Sequence, residues 1–189
     1  MCIRDRLWEV DLSGHFLGAV TNVFERHRLD RPAELGLAGP GAYFNSGVLL
    51  LNLDEMRRAG STEALARHAR ERAAELLWPD QDTLNVVLGA RRLELAPRWN
   101  AMNSLSFPWS DRVYTPALVE EALRKPAIRH FEGPAANKPW HYLRLQPSRE
   151  LYFEHRRETP WPDVRLEGVT PLNAVRRWRR LRRERQASA

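Results

Sequence analysis

Short apolar runs and helix-spaced apolar positions follow one another along this chain. Phe16-Leu17-Gly18-Ala19-Val20 is an unbroken apolar run and predicts a buried strand. Residues 28–42 contain Pro32, Gly36, Gly39, Pro40 and Gly41 and predict a loop. The mostly apolar run from Tyr43 to Leu53 predicts a strand buried on both faces. Ser61 reads as a helix N-cap with Glu63 in the first turn, and Leu65, Ala69, Ala73 and Leu76 follow at helical spacing. Trp78-Pro79 breaks that helix. Asp80 can cap a second one, with Leu84, Val87 and Leu88 on one face and Gly89 at its end. Leu93-Glu94-Leu95 and Ala127 to Phe131 read as strands. Thr115-Pro116 opens a helix to about Arg124, and Ser148 to about Arg157 forms another. Alternating strands and helices with no repeat and no internal linker predict an α/β domain.

Four segments interrupt this pattern with polar chemistry. Tyr43-Phe44-Asn45-Ser46-Gly47 places short polar side chains at the start of a strand, where α/β sheets bind ligands; by itself it reads first as a turn. In Asp80-Gln81-Asp82-Thr83-Leu84-Asn85, two carboxylates flank an amide at a helix start. Such a group can orient sugar hydroxyls or face a developing positive charge, although a helix cap explains Asp80 equally well. Trp99, in Pro97-Arg98-Trp99-Asn100, reads as core. The last segment is the most informative: His130-Phe131-Glu132-Gly133, then Lys138-Pro139-Trp140-His141. His130 can bind a divalent cation through a neutral imidazole, Gly133 permits close backbone approach to a phosphate, and Lys138 supplies a point charge for a diphosphate. A lone histidine is more often structural; histidine, glycine and lysine in one loop shift that balance.

Composition changes the picture mainly at the C-terminus. At 43% apolar and 29% charged residues, the 189-residue chain is expected to fold as one domain. Cys2 is the lone cysteine, which excludes an internal disulfide and a cysteine-rich metal site and suits a reducing compartment. No run reaches the ~18 apolar residues of a membrane helix, and Met1 to Arg6 carry no apolar leader. Residues 176–189 hold seven arginines against one glutamate. Taking them from the chain's 30 basic and 24 acidic residues leaves 23 of each, so the net charge of +6 belongs to the tail. A neutral body argues against a specific nucleic-acid partner. Leu172, Val175, Trp178 and Leu181 recur every three residues among the arginines and predict a basic amphipathic helix suited to an anionic membrane surface. A solvated terminus or nonspecific RNA binding would also account for it.

Taken in order, Phe44-Asn45-Ser46-Gly47-Val48-Leu49-Leu50, Asp80-Gln81-Asp82-Thr83-Leu84-Asn85, Trp99-Asn100 and His130-Phe131-x-Gly133 to Lys138-Pro139-Trp140 resemble glycosyltransferase family 8, over roughly Leu7 to Tyr142. This family includes bacterial lipopolysaccharide galactosyl- and glucosyltransferases and glycogenin. The resemblance implies the C-terminal part of a GT-A type nucleotide-diphospho-sugar transferase fold, a mixed sheet flanked by helices. It further implies a UDP-hexose donor, a glycan or lipid-linked sugar acceptor, Mn²⁺ on the donor diphosphate and retention at the anomeric carbon. His130 is then the metal ligand, and Gly133 and Lys138 contact the diphosphate. Asn45, Ser46, Asp80 and Gln81 surround the transferred sugar, with Gln81 nearest the anomeric carbon. A carboxamide is a weak nucleophile, so electrostatic and positional help is expected from it. Related lipopolysaccharide transferases also carry basic C-terminal tails, which implies a cytoplasmic protein held peripherally at the inner membrane face through residues 172–185.

The family's Asp-x-Asp metal motif and uridine-binding strands would precede Leu7, and neither is present. The expected organisation is therefore an artefactual start at 1–6, a partial family 8 domain at 7–160 and an extension at 161–189. The chain alone is expected to be inactive, with apolar surface uncovered on Phe16–Val20 or Val48–Leu51. The competing expectations are a non-catalytic fragment, and a membrane- or RNA-binding module acting through the arginine tail. Acceptor choice is expected in residues 28–41 and 103–114, where Phe107, Trp109 and Tyr114 could stack on sugar faces or simply pack.

Overall fold

A computed structural model describes residues 5–144, 149–163 and 165–187. The chain forms two compact units, one ending at His130 and one beginning at Phe131. The first unit runs α1 (Asp5–Trp8), β1 (Leu17–Thr21), α2 (Arg31–Glu34), β2 (Phe44–Leu51), α3 (Leu53–Arg58), α4 (Ser61–Glu71), α5 (Pro79–Leu88), β3 (Arg92–Glu94) and α6 (Pro116–Arg124). The second holds α7 (Arg149–Arg157) and α8 (Pro171–Ala187). Met1 to Arg4 of the expected artefactual start, and Ser148 of the expected helix start, lie outside the described residues.

The three strands form one mixed sheet in the order β2-β1-β3. The central strand β1 is antiparallel to β2 and parallel to β3. All five β1 residues are buried, because its side chains alternate between two apolar layers. Leu17 and Ala19 pack with Phe44, Leu65, Leu84, Val87 and Leu88. Val20 packs in the other layer with Val23, Leu95, Met102, Leu105, Tyr114 and Ala122. The sheet is thus covered by α3–α5 on one face, and by α6 with the turns before it on the other.

Several sequence expectations are corrected here. β2 packs on both faces, Phe44 and Leu49 in one layer and Val48 and Leu50 in the other, but incompletely: it is an edge strand of this sheet, and Leu51 is exposed. The Phe16–Val20 run is covered; of the Val48–Leu51 run Leu51 is exposed, and Trp8 and Leu53 are exposed nearby. Ser61 does not cap α4. Gly60 occupies the capping position at φ +63°, closing α3 with an N–H bond to Arg57 O at 3.1 Å. The helical pattern that follows stops at Glu71. Asp80 does not cap α5 either. Pro79 is its first residue, and the backbone N–H groups of Leu77 and Trp78 donate to Asp82 Oδ2 at 2.8 and 3.0 Å. Ala127–Phe131 forms no strand: Ala101 and Arg129 make an isolated bridge, and the residues before Ala101 form a 3-10 turn whose Arg98 O accepts from both Ala127 N and Ile128 N, so no ladder continues. Helix α6 follows the prediction, with Thr115 accepting from Leu118 N.

Residues 28–42 are more ordered than a loop because α2 is anchored. Arg31 is buried and donates to Asp82 Oδ2 at 2.6 Å, to Glu75 O at 2.7 Å and to Glu34 Oε2 at 2.9 Å. Asp82 is 0% exposed and also accepts from Tyr43 Oη at 2.6 Å. Burial alone would raise the Asp82 pKa, but the bonds from Arg31, Tyr43, Trp78 and Leu77 outweigh it and hold the carboxyl below the usual range. Its charge therefore contributes stability that is present above the unfolded-state pKa of about 3.9 and is lost as pH falls through the lower folded-state value.

Substituting Asp82→Asn leaves the Arg31 guanidinium buried without its counter-charge and should destabilise the protein by about 3–5 kcal/mol. Urea unfolding at pH 7 measures this, and the gap to wild type should narrow below pH ~4. A gap under about 1 kcal/mol at pH 7 would show that the ion pair does not anchor the unit.

Candidate active site

The polar residues singled out in the sequence meet where β2 leaves its ladder. Leu17, Gly18 and Ala19 face Leu51, Leu50 and Leu49 in register, but Thr21 then faces Phe44. Three extra residues of β2 are absorbed there, in the stretch holding Asn45, Ser46 and Gly47. Such irregularities re-aim side chains out of a sheet. Asn85 clamps the near end: its Oδ1 accepts from Phe44 N at 2.7 Å and its Nδ2 donates to Phe44 O at 2.8 Å. That bonding holds the released stretch against the first turn of α5.

The contacts there form one connected chain. Asp82 can only accept, so Tyr43 Oη donates to it. Burial and this bond push the Tyr43 pKa far above its ordinary 10.0, so the phenol keeps its proton. Tyr43 Oη accepts from Gln81 Nε2 at 3.2 Å, which turns Gln81 Oε1 toward Asn45 Nδ2 at 3.1 Å and Ser46 N at 2.9 Å. Asn45 Nδ2 also reaches Asn22 Oδ1 at 3.3 Å. Asn45 Oδ1 accepts from Gly47 N at 2.9 Å and from Asn100 Nδ2 at 2.8 Å. Asn100 is therefore left with Oδ1 toward His130 Nδ1 at 2.9 Å. The proton of neutral His130 then sits on Nδ1 and the lone pair on Nε2. Exposed Asp80 accepts from Ser46 Oγ at 3.1 Å.

Asn45, Ser46, Asp80, Gln81 and His130 are thus brought together. Gly133 and Lys138 belong to the second unit. Gly133 has φ +88°, and a Cβ there would lie 2.7 Å from Asn137 Nδ2, so its own backbone already requires glycine. Lys138 Nζ donates to Phe131 O at 2.5 Å. Among the described residues no three of His, Cys, Asp and Glu gather to hold a metal ion, and His130 has no such group around it. Asp82 faces neither sugar nor ion, since Arg31, Tyr43 and two backbone groups occupy it.

Three contributors were given no role in the sequence reading. Asn100 is fully buried and fixes the His130 ring, although only its neighbour Trp99 drew a structural reading. Gly47 is required because a Cβ there would lie 2.7 Å from His130 Nδ1 and 2.9 Å from Asn45 Oδ1. A glycine inside an apolar run was the available signal. Arg31 anchors the network from 51 residues away in sequence. Of the three aromatics offered for stacking, Tyr114 is core, donating to Thr21 O at 2.9 Å, and Trp109 Nε1 is tied to Phe24 O at 2.9 Å. Segments 28–41 and 103–114 do share a recess of about 190 Å³ beside Asn22, walled by Leu29, Pro40 and Trp109.

The sequence pattern of glycosyl transferase family 8 matches residues 4–144. The chain belongs to that family. The family 8 chain is 31% identical over 167 residues to general stress protein A of Bacillus subtilis (strain 168), spanning 84% of this chain and 55% of that relative. It is 31% identical over 126 residues to a lipopolysaccharide 1,2-glucosyltransferase of Escherichia coli (strain K12), spanning 65% of this chain and 36% of the relative. It therefore covers about half or less of these relatives. The galactosyltransferase LgtC, solved with donor and acceptor sugar analogues, matches with a TM-score of 0.67 at 26% identity. That match covers 88% of this chain and 58% of LgtC. The fold of the family 8 chain is accordingly α/β of the GT-A type, with a mixed sheet flanked by helices.

The bond from Asn100 predicts a measurable property of His130. In ¹⁵N-edited imidazole NMR, neutral His130 should be protonated at Nδ1 in the wild type and should lose that preference in Asn100→Ala. Gly47→Ala should displace the ring and broaden or shift the same signals. An Nε2-protonated ring in the wild type would contradict the assigned polarity of the chain.

Proposed function

We propose that this chain contributes the sugar-binding part of a retaining transferase. That enzyme moves a hexosyl group from a UDP-sugar to a hydroxyl of a glycan or lipid-linked acceptor, of the kind its lipopolysaccharide glucosyltransferase relative is named for. The observation that carries this reading is the connected Asn45–Gln81–Asn100–His130 cluster at the β2 irregularity of a family 8 chain. Asp80 offers an exposed carboxylate to sugar hydroxyls and to positive charge developing at the anomeric carbon. Gln81 Oε1 accepts from Ser46 N, Asn45 Nδ2 and Ser46 Oγ, so Gln81 positions the sugar-facing residues and does not attack. Asn45 and Ser46 hold sugar hydroxyls. Gly133 and Lys138 meet the donor diphosphate.

His130 would supply one imidazole nitrogen to a divalent cation, Mn²⁺ by the family's chemistry. The oxygen ligands that ion prefers are not assembled among the described residues. In this reading residues 7–160 carry the transferase domain and 161–189 an extension, and the 189 residues alone do not transfer sugar. The test compares the chain alone with a longer protein supplying an Asp-x-Asp half. Calorimetry should show weak UDP binding to the chain alone, with or without Mn²⁺. In the longer protein Gln81→Ala should lower kcat roughly 10²-fold with a smaller change in donor affinity. Tight Mn²⁺-dependent UDP binding by the 189 residues would mean that a metal site has been missed, and an effect of Gln81→Ala on donor affinity alone would refute its positioning role.

A second role rests on α8. Leu172, Val175, Trp178 and Leu181 are exposed on it, and no described helix is long and apolar enough to cross a membrane. Arg177 and Arg180 bond backbone carbonyls of residues 142–144, which holds the helix on its own unit. The other arginines and the apolar stripe suit an anionic lipid surface, which we place at the cytoplasmic face; RNA binding would need no such stripe. Replacing Arg176, Arg179, Arg182 and Arg183 with glutamine should weaken binding to phosphatidylserine vesicles by about 1 kcal/mol per charge, and less at high salt. Equal vesicle binding at low salt, or RNA binding that outlasts vesicle binding, would exclude this role.

A further inference from the structure

The C-terminal unit contains a pocket of about 520 Å³ that none of the residues discussed so far explains. Its walls carry the aromatic rings of Trp140, Tyr152 and Trp161, and its polar lining includes His155, Thr159 and Glu167. That volume falls within the range of small-molecule sites, roughly 300–1,000 Å³.

Each wall is fixed by specific bonds. Trp140 packs on Tyr152 of α7 with centroids 5.6 Å apart. Glu167 is tied to the Trp140 segment by two backbone bonds, Glu167 N to Trp140 O at 3.1 Å and Tyr142 N to Glu167 O at 2.8 Å. Gly168 follows at φ +71°, where a Cβ would collide with the His141 ring, so glycine allows this close approach. Trp161 sits on a turn latched to α7. The Arg156 guanidinium donates to Trp161 O at 3.1 Å and to Pro162 O at 2.8 Å, and Trp161 N donates to Thr159 Oγ1 at 3.3 Å. Even so, the Trp161 ring is 69% exposed. Holding a large aromatic in place and in water is a feature of recognition surfaces.

We propose that this pocket binds a hexopyranose unit of a glycan. A pyranose has C–H faces that lie against indole and phenol rings, and its rim of hydroxyls both donates and accepts. A carboxylate, an imidazole and a hydroxyl beside three rings match that combination. A bare alkyl chain would leave Glu167 and His155 without a role; Arg156 also lines the pocket but turns guanidinium donors to Trp161 O and Pro162 O, and the Glu167 carboxylate disfavours a phosphate. The pocket thus offers an anchoring point for a saccharide in the C-terminal unit, while the Asn45–Gln81 cluster lies in the N-terminal one. It stands whether or not UDP-sugar transfer is found.

Saturation-transfer NMR on the 189-residue chain tests it, with lactose and maltose as probes and uridine and octyl alcohol as competitors. At least one disaccharide should bind saturably. Trp161→Ala and Glu167→Gln should each weaken that binding at least about fivefold. Both side chains are exposed, so circular dichroism should show both variants folded as wild type. Binding untouched by both substitutions, or no saturable signal from either disaccharide, would overturn the proposal. So would displacement of the sugar by uridine or octyl alcohol at lower concentration, which would assign the pocket to a nucleobase or an alkyl chain.

Discussion

A single buried carboxylate organises the N-terminal unit. Asp82 lies in the first turns of α5 and is closed off from solvent, so its charge must be met inside the protein. Arg31 meets it from α2, Tyr43 from the residue before β2, and Leu77 and Trp78 from the backbone leading into α5. Three segments distant in sequence are thereby fixed at one point. Removing any one donor would leave the others around an under-satisfied charge, which is why the arrangement tolerates little local drift.

The same carboxylate gives direction to the site. Amides and imidazoles can each turn either way, and a network built only of them would have several arrangements of similar energy. Here one end is an acceptor that cannot donate. Tyr43 must donate to it, so Gln81 must donate to Tyr43. Asn45 then donates to Gln81, Asn100 to Asn45, and His130 to Asn100. A fixed charge at one end thus selects the tautomer of an imidazole at the other, although the two never touch. Bonds in such a chain polarise one another in the same sense, which favours a single arrangement further.

The sequence made the members of this cluster legible and left its wiring hidden. Asn45, Ser46, Asp80, Gln81 and His130 could be named because short polar residues interrupting apolar runs stand out locally. Helix α6 was legible because Pro116 marks its first turn, and α5 because Leu84, Val87 and Leu88 share a face, although its start was read at Asp80 and lies at Pro79. Asp82 reads locally as half of a symmetric pair with Asp80, yet one is exposed and the other fully buried. The side chains that distinguish them, Arg31 and Tyr43, are far away in sequence. The slip in β2 register is similarly a relation between two strands, and no period within one strand reveals it. Ala127–Phe131 has strand composition but lacks a partner with which to continue a ladder, so composition misled there.

Gly47 shows how closely the fold and the site constrain each other. The irregularity in β2 must release Asn45 and Ser46 from the sheet, and the imidazole of His130 must come against the same backbone to reach Asn100. Any side chain at position 47 would occupy the space of that ring and of Asn45 Oδ1. Glycine there costs backbone entropy and weakens an edge strand. The loss is offset where Asn85 pairs both backbone groups of Phe44 and Gln81 accepts from Ser46 N, since these bonds replace the ladder contacts that the irregularity gives up. Gln81 therefore serves the strand and the site through one atom. An oxygen that stands in for a lost sheet acceptor has its lone pairs committed to N–H donors, and the proposed role in positioning, not attack, rests on that commitment.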